Sequence, residues 1–264
     1  MNKALSKADH QRPEKLEAFD KLLTMMNDLR ENCPWDKKQT LESIRHLTIE
    51  ETYELSDAIL DKDIKGVQEE LGDILLHILF YSRIASETND FDITDVIQGV
   101  YDKMYGRHPH VYGELKVENE EEVKQNWEQL KLKEGKQKKV LGGVPYSLPA
   151  LVKAIRIQEK VKAVGFEWPD KNGAWDKVME EINEFKAEKD PKRKQEEFGD
   201  LLFSLINYAR YENINPEEAL QRTNKKFIKR FNYIEEKANE KAVPLNDMGL
   251  EKMDQLWNEA KSLE

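Results

Sequence analysis

Acidic side chains recur in this sequence at spacings that a helix would bring onto one face. Glu50, Glu51 and Glu54 stand in "IEETYEL", and Glu70 and Asp73 follow in "QEELGDILLHILF". Further along, Glu180, Glu181 and Glu184 stand in "MEEINEF", with Glu197 and Asp200 in "QEEFGDLLFSLIN". Residues three and four apart are neighbours on a helix. If the two helices of each set pack antiparallel, four carboxylates converge: Glu51, Glu54, Glu70 and Asp73 in the first set, and Glu181, Glu184, Glu197 and Asp200 in the second. Carboxylates crowded together out of water repel one another and resist ionisation unless a cation joins them. Oxygen-only donors suit a hard ion, Mg²⁺ or in its place Mn²⁺. They suit a di-iron centre less well, because such bundles add Glu-x-x-His imidazoles. His77 lies one turn after Asp73, but the second set has Ser204 there. Gly72 and Gly199 interrupt these helices beside the aspartates, and each is expected to let a neighbouring helix approach. A single E-E-x-x-E in a chain with 36% charged residues is ordinary, so the weight falls on the ordered recurrence.

The recurrence extends beyond the acids. Glu69–Arg83 matches Glu196–Arg210, Tyr101–His108 lies over Asn224–Phe231, and Gln125–Glu134 over Gln255–Glu264. These matches in one order read as two copies of one helical module. Residues 16–134 form the first and 151–264 the second, with a Gly- and Pro-rich linker at 135–150 and a polar, mobile leader at 1–15. In the second copy a helix is predicted from Trp175 to Glu188, a turn at "KDPKRK", and a helix from Lys192 to Tyr211. Asn215 then caps a third that starts at Pro216. The fold class is all-α, built from tandem helical bundles.

Composition narrows the partners. A net charge of -10 over 264 residues argues against a nucleic-acid polymer, which needs a basic footprint. Cys33 is the only cysteine, so no internal disulfide forms. The longest apolar run, Ile74–Tyr81, holds His77 and falls far short of a membrane span of ~20 residues. The first residues lack the apolar core of a signal peptide. A cytoplasmic protein with no membrane partner is expected.

On the E-E-x-x-E and E-x-x-D pattern and its flanking helices, the sequence resembles the MazG family of nucleoside triphosphate pyrophosphohydrolases, within the all-α NTP pyrophosphatase group. The likeness runs through both modules. It implies Mg²⁺-dependent hydrolysis of a nucleoside triphosphate to the monophosphate and pyrophosphate, and a homodimer whose subunits complete each other's bundles. Under that resemblance Glu180 or Glu181 orients or deprotonates the attacking water. Lys177, Arg193, Lys194, Lys226, Lys229 and Arg230 become candidates for the triphosphate, and Glu196 joins the nucleotide-contact set. Trp257, which matches Trp127, either stacks on the base or closes the module's core, and Trp168 either lines the same pocket or anchors a loop. Lys177 aligns with Leu47, and Arg193 and Lys194 with Gly66 and Val67, so the second copy is expected to carry the main activity. "GRHPHVYGE" in the first copy reads as a polar loop rather than a His-Pro-His metal site. Two alternatives stand beside this reading: a pyrophosphohydrolase of one compound such as a phosphoribosyl-ATP-like nucleotide, and a non-catalytic helical interaction protein.

Overall fold

The computed structural model describes residues 11–119, 122–123, 126–127, 130 and 139–263. The expected border at 134/135, and most of the expected leader, lie outside them. Every regular element among the described residues is helical. The chain falls into two compact units that divide between Lys116 and Val117.

The first unit contains α1 (Arg12–Asn32), α2 (Arg45–Asp61), α3 (Ile64–Ser86), α4 (Ile93–Arg107) and a one-turn α5 (Pro109–Tyr112). Its order follows from local chemistry. Lys62 adopts a left-handed φ of 59° and ends α2, and the Asp63 carboxylate accepts from the Lys65 N–H at 3.1 Å to start α3. This two-residue turn folds α2 and α3 back on each other. Met26, Ile44, Leu79 and Phe80 form the core, with Leu47 of α2 packed against it. The "GRHPHVYGE" stretch expected as a loop is partly helical, because Pro109 opens α5 and the His108 Nδ1 bonds the Met104 carbonyl oxygen at 2.6 Å.

The second unit contains α6 (Ala150–Lys162), α7 (Lys171–Ala187), α8 (Pro191–Tyr211), α9 (Pro216–Glu240) and α10 (Leu250–Ser262). Helix α7 starts four residues before the expected Trp175, because Asp170 accepts from the N–H groups of Asn172 and Gly173. Asp190 caps α8 in the same way, with Pro191 in its first turn. Asn215 caps α9 ahead of Pro216, as read from the sequence. The α7/α8 hairpin is the most extensive helix pair in the unit, α9 packs on α10, and α6 touches both α8 and α9. Buried Ala154, Ala174, Val178, Ile206, Ile234 and Leu256 fill the spaces between them.

Candidate metal and nucleotide site

In the second unit the short turn at Glu188–Asp190 sets the start of α8 beside the end of α7, so their acids meet across the hairpin. Glu181, Glu184 and Glu197 each offer an oxygen, and these oxygens lie within 4.8 Å of one another. Glu181 is buried at 5% exposure, Glu197 is half-buried, and Glu184 faces solvent. Burial pushes the Glu197 carboxyl above its ordinary value, and the charges of Glu184, Asp200, Glu181 and Glu188 add to the push. Asp200 therefore acts on the cluster electrostatically although its oxygen is not part of that tight triad. Glu188 was not singled out from the sequence. Its spacing four residues after Glu184 carried the signal, and its carboxylate also accepts from the N–H groups of Lys189 and Asp190.

Lys177 bonds one member of the triad, Glu181, together with Glu180. Its Nζ lies 2.8 Å from a Glu180 oxygen and 2.7 Å from a Glu181 oxygen. These two bonds raise the lysine's pKa, Glu180 contributing first and Glu181 second. A cation thus already bridges the carboxylates on which the sequence placed the water-activating role. Arg193 is exposed on the first turn of α8, where its N–H bonds Asp190, while the Lys194 Nζ sits 5.1 Å from the Phe185 ring centroid. Phe185 and Phe198, themselves 5.6 Å apart, line the outside of the hairpin next to the acids. Glu196 is exposed one residue from Glu197.

The other nucleotide candidates occupy the α9/α10 hairpin. Lys226 and Lys229 are exposed, and the Arg230 guanidinium lies 5.3 Å from the Trp257 ring centroid. Trp257 also meets Phe227 at 4.9 Å with a 57° tilt. Half-buried between these partners, the indole closes the helix pair and keeps part of its surface open. Trp168 anchors a loop: its carbonyl oxygen accepts from the Tyr211 hydroxyl at 2.7 Å. Its ring lies so close to Gly173 that a Cβ there would come within 3.1 Å.

The first unit assembles the matching cluster from α2 and α3, with oxygens of Glu51, Glu70 and Asp73 within 4.8 Å of one another. Burial raises the pKa of both Glu51 and Glu70. The next contributor for Glu51 is Asp73, and for Glu70 it is Glu54, so Glu54 also acts on the cluster. The Glu70 Oε2 is buried without a hydrogen-bond partner. The lysine is absent here, since Leu47 at its position packs into the core. His77 is buried at 8% exposure, its pKa is lowered by that burial, and it stands outside the acidic triad.

The glycine expectation is corrected. A Cβ at Gly72 or Gly199 would meet no atom within 4 Å, so no neighbouring helix of the chain requires glycine there. Around both clusters the same positions expose apolar side chains: Leu71, Leu75 and Ile78 on α3 at 37–52%, and Phe198, Leu202 and Leu205 on α8 at 40–47%. Among the described residues no helix is long and apolar enough to cross a membrane.

Both hairpins coincide with a known domain. Residues 39–112 and 175–234 match the MazG nucleotide pyrophosphohydrolase domain. The chain is 42% identical over 247 residues to the nucleoside triphosphate pyrophosphohydrolase/pyrophosphatase MazG of Thermotoga maritima, covering 92% of this chain and 95% of that protein. It is 40% identical over 257 residues to the nucleoside triphosphate pyrophosphohydrolase of Escherichia coli K12, covering 93% and 98%. An uncharacterized Bacillus subtilis protein, YabN, is 46% identical over 257 residues, which span 52% of its length.

Proposed function

This chain belongs to the MazG nucleotide pyrophosphohydrolase family, and from that premise we propose that it hydrolyses nucleoside triphosphates to the nucleoside monophosphate and pyrophosphate. Water attacks the α-phosphorus, a new P–O bond forms, and the α–β anhydride bond breaks. The observation that carries the reading is the triad of Glu181, Glu184 and Glu197, with oxygens within 4.8 Å and Lys177 bonded to Glu181. In the proposal a magnesium ion, or manganese in its place, is held by Glu181, Glu184, Glu197 and Asp200. The donor set fits such an ion, being all oxygen and holding the Glu197 carboxyl above its ordinary value, by burial first and then by the charges of the neighbouring acids. When bound, the ion offsets negative charge on the triphosphate.

The chain's own residues do the rest. Glu181 lies in the triad and Glu180 does not, so we assign the proton of the attacking water to Glu180. Lys177, bridging both, holds the pair in register and is a candidate partner for the phosphates in the proposed complex. Arg193 and Lys194 on α8, and Lys226, Lys229 and Arg230 on α9, supply further cations, with Glu196 beside them. Trp257 offers an aromatic face that every base can use, which supports a broad base range. The first module, with Leu47 in place of the lysine, holds a cation through Glu51, Glu54, Glu70 and Asp73 and has at most a lesser activity.

A homodimer belongs to the same proposal. The repeated stripe Leu71/Leu75/Ile78 and Phe198/Leu202/Leu205 is apolar surface beside an acidic cluster in both modules, and a second copy would complete each bundle. Sedimentation of the whole chain tests it, and a monomer at micromolar concentration would sink it. We place the reaction in the cytoplasm, where nucleotides and free magnesium meet. A panel of NTPs and dNTPs tests the activity, with products resolved as monophosphate plus pyrophosphate or as diphosphate plus phosphate. Pyrophosphate from several bases is expected. Turnover of one phosphoribosyl-ATP-like compound alone, or no turnover and no metal-dependent thermal shift, would overturn the reading.

A further inference from the structure

Two lysines of the acidic hairpin in the second unit are held in different ways. Lys177 is tied to the carboxylates of Glu180 and Glu181 at 2.8 and 2.7 Å. Lys194 makes no ion pair among the described residues. Its Nζ sits instead over the Phe185 ring, 5.1 Å from the centroid. That is inside the roughly 6 Å within which a ring face attracts a cation. Phe198 meets Phe185 at 5.6 Å with a tilt of 51°, within the range of favourable aromatic pairs, and so steadies the ring. Lys194 and Phe185 are both half-buried, yet the ammonium keeps accessible surface. Arg193, the next residue, is exposed, and among the described residues no ring holds it.

The two kinds of partner leave different charges behind. A carboxylate neutralises the cation that it holds, whereas a ring face holds a cation and leaves its full positive charge. The charge of Lys177 is already shared between Glu180 and Glu181, and that of Lys194 is not. The contact also lies close to the triad. Phe185 follows Glu181 by four residues on α7, and Glu197 follows Lys194 by three on α8, so each half of the contact is one turn from a triad member. The internal repeat links the residues further. Lys194 matches Val67 of the first module, Phe185 matches Leu55, and Phe198 matches Leu71. Where an aliphatic side chain replaces the cation, aliphatic side chains replace both rings. Packing of the hairpin does not by itself require a ring at these positions, because Leu55 and Leu71 stand there in α2 and α3. The rings accompany the ammonium.

We propose that Phe185, steadied by Phe198, is a positioning residue for Lys194: it holds an ammonium with its charge intact beside the triad, ready for an oxygen of the triphosphate. The inference rests on the pyrophosphohydrolase reading of the site. A lysine side chain loses rotamer freedom when it clasps an anion, and a ring that already holds it removes part of that cost. Phe185 acts through Lys194 and needs no contact of its own with the substrate.

The test uses the whole chain with ATP and Mg²⁺. Phe185→Leu, which copies the first module, should raise KM about two- to fivefold, with the effect falling on KM rather than kcat. Phe185→Tyr keeps a ring face and should retain the wild-type KM. Lys194→Met should raise KM at least about tenfold. Adding Phe185→Leu to Lys194→Met should raise KM no further, because the ring then has no ammonium to hold. Without nucleotide, the ε-protons of Lys194, observed in ¹³C-labelled lysine, should resonate upfield in the wild type and return to the ordinary lysine position in Phe185→Leu. An unchanged KM in Phe185→Leu or in Lys194→Met overturns the proposal and leaves the pyrophosphohydrolase reading in place. So does a Phe185→Leu loss that persists in the Lys194→Met background, or that Phe185→Tyr shares. A wild-type chain that releases no pyrophosphate overturns that reading and this proposal with it. If Phe185→Leu does not fold, the KM of Lys194→Met and the proton shift of the wild type decide the matter, and an ordinary shift there overturns the proposal.

Discussion

Replacing Lys177 with methionine isolates the contact at the centre of the acidic hairpin. Methionine keeps most of the stem's packing and removes the charge that joins Glu180 and Glu181 at 2.8 and 2.7 Å. Glu181, at 6% side-chain exposure, then keeps a buried charge with no cation. Breaking a fully buried pair costs about 3–5 kcal/mol, whereas an exposed pair is worth about 0–1 kcal/mol. Lys177 is itself 37% exposed, so solvent screens part of the interaction, and a loss of about 1–2 kcal/mol lies between those limits. At about 2–4 °C per kcal/mol for a chain of this size, melting should fall by about 2–8 °C in EDTA. The lysine's pKa is raised in the fold, so its contribution is present at every pH below the ordinary lysine value of about 10.4 and is lost only as pH rises through the folded-state value. The deficit should therefore be constant between about pH 7 and 9. If the proposed magnesium site holds, the ion would restore a cation to the carboxylates, so the stabilisation on adding it should be larger in the variant than in the wild type. The assay is thermal unfolding with and without Mg²⁺, followed by pyrophosphate release. A melting temperature within about 1 °C of the wild type in EDTA, with the same magnesium response, would refute the bridging role.

Glu184→Ala or Asp200→Ala should lower pyrophosphate release by about 10²–10³-fold, while Glu54→Ala leaves most of it intact; comparable losses from both modules in an NTP assay would refute the division of labour. Glu197→Gln should make the chain more stable in EDTA at pH 7.5. The folded state holds this carboxyl above its ordinary value, so it binds more protons than the unfolded chain, and wild-type stability falls as pH rises through that window. The variant's advantage should shrink as pH falls below the ordinary glutamate value of about 4.3, where both states become protonated, and denaturation curves at pH 7.5 and at about pH 3 check it. Trp257→Ala should cost about 2 kcal/mol through its lost contacts with Phe227 and Arg230. Trp257→Phe should keep the fold but raise KM for every base, and an unchanged KM would leave the indole as a packing residue alone.

The sequence made legible whatever is decided within one or two turns. Asn215 before Pro216, Pro191 after Asp190, and acids three and four apart are local features, and the helices start and face as those features require. Lys177 was legible as a neighbour of Glu180 and Glu181 by spacing, but the burial of Glu181 that gives the contact its weight depends on how α7 lies against α8. The start of α7 lies upstream of the apolar periodicity because its cap is Asp170. Gly72 and Gly199 suggest contact points in the sequence, but space beside a glycine is a property of the neighbouring element, and here none stands within 4 Å of either.

Acid and apolar positions on α3 and α8 are interleaved, and that interleaving joins the proposals about chemistry and assembly. Glu70 adjoins Leu71 and Asp73 lies two residues before Leu75, just as Glu197 adjoins Phe198 and Asp200 lies two before Leu202. Residues one and two apart point in different directions, so the acids look into the hairpin while the apolar stripe flanks it. Both faces end at the same turns of helix. Covering the stripe with a second copy would therefore remove water from the edge of the acidic cluster as well. Lower local polarity strengthens attraction between the carboxylates and a cation, and makes the cluster without a cation less tolerable. In the proposed dimer, association and cation binding would then be linked through shared turns of α3 and α8, each favouring the other.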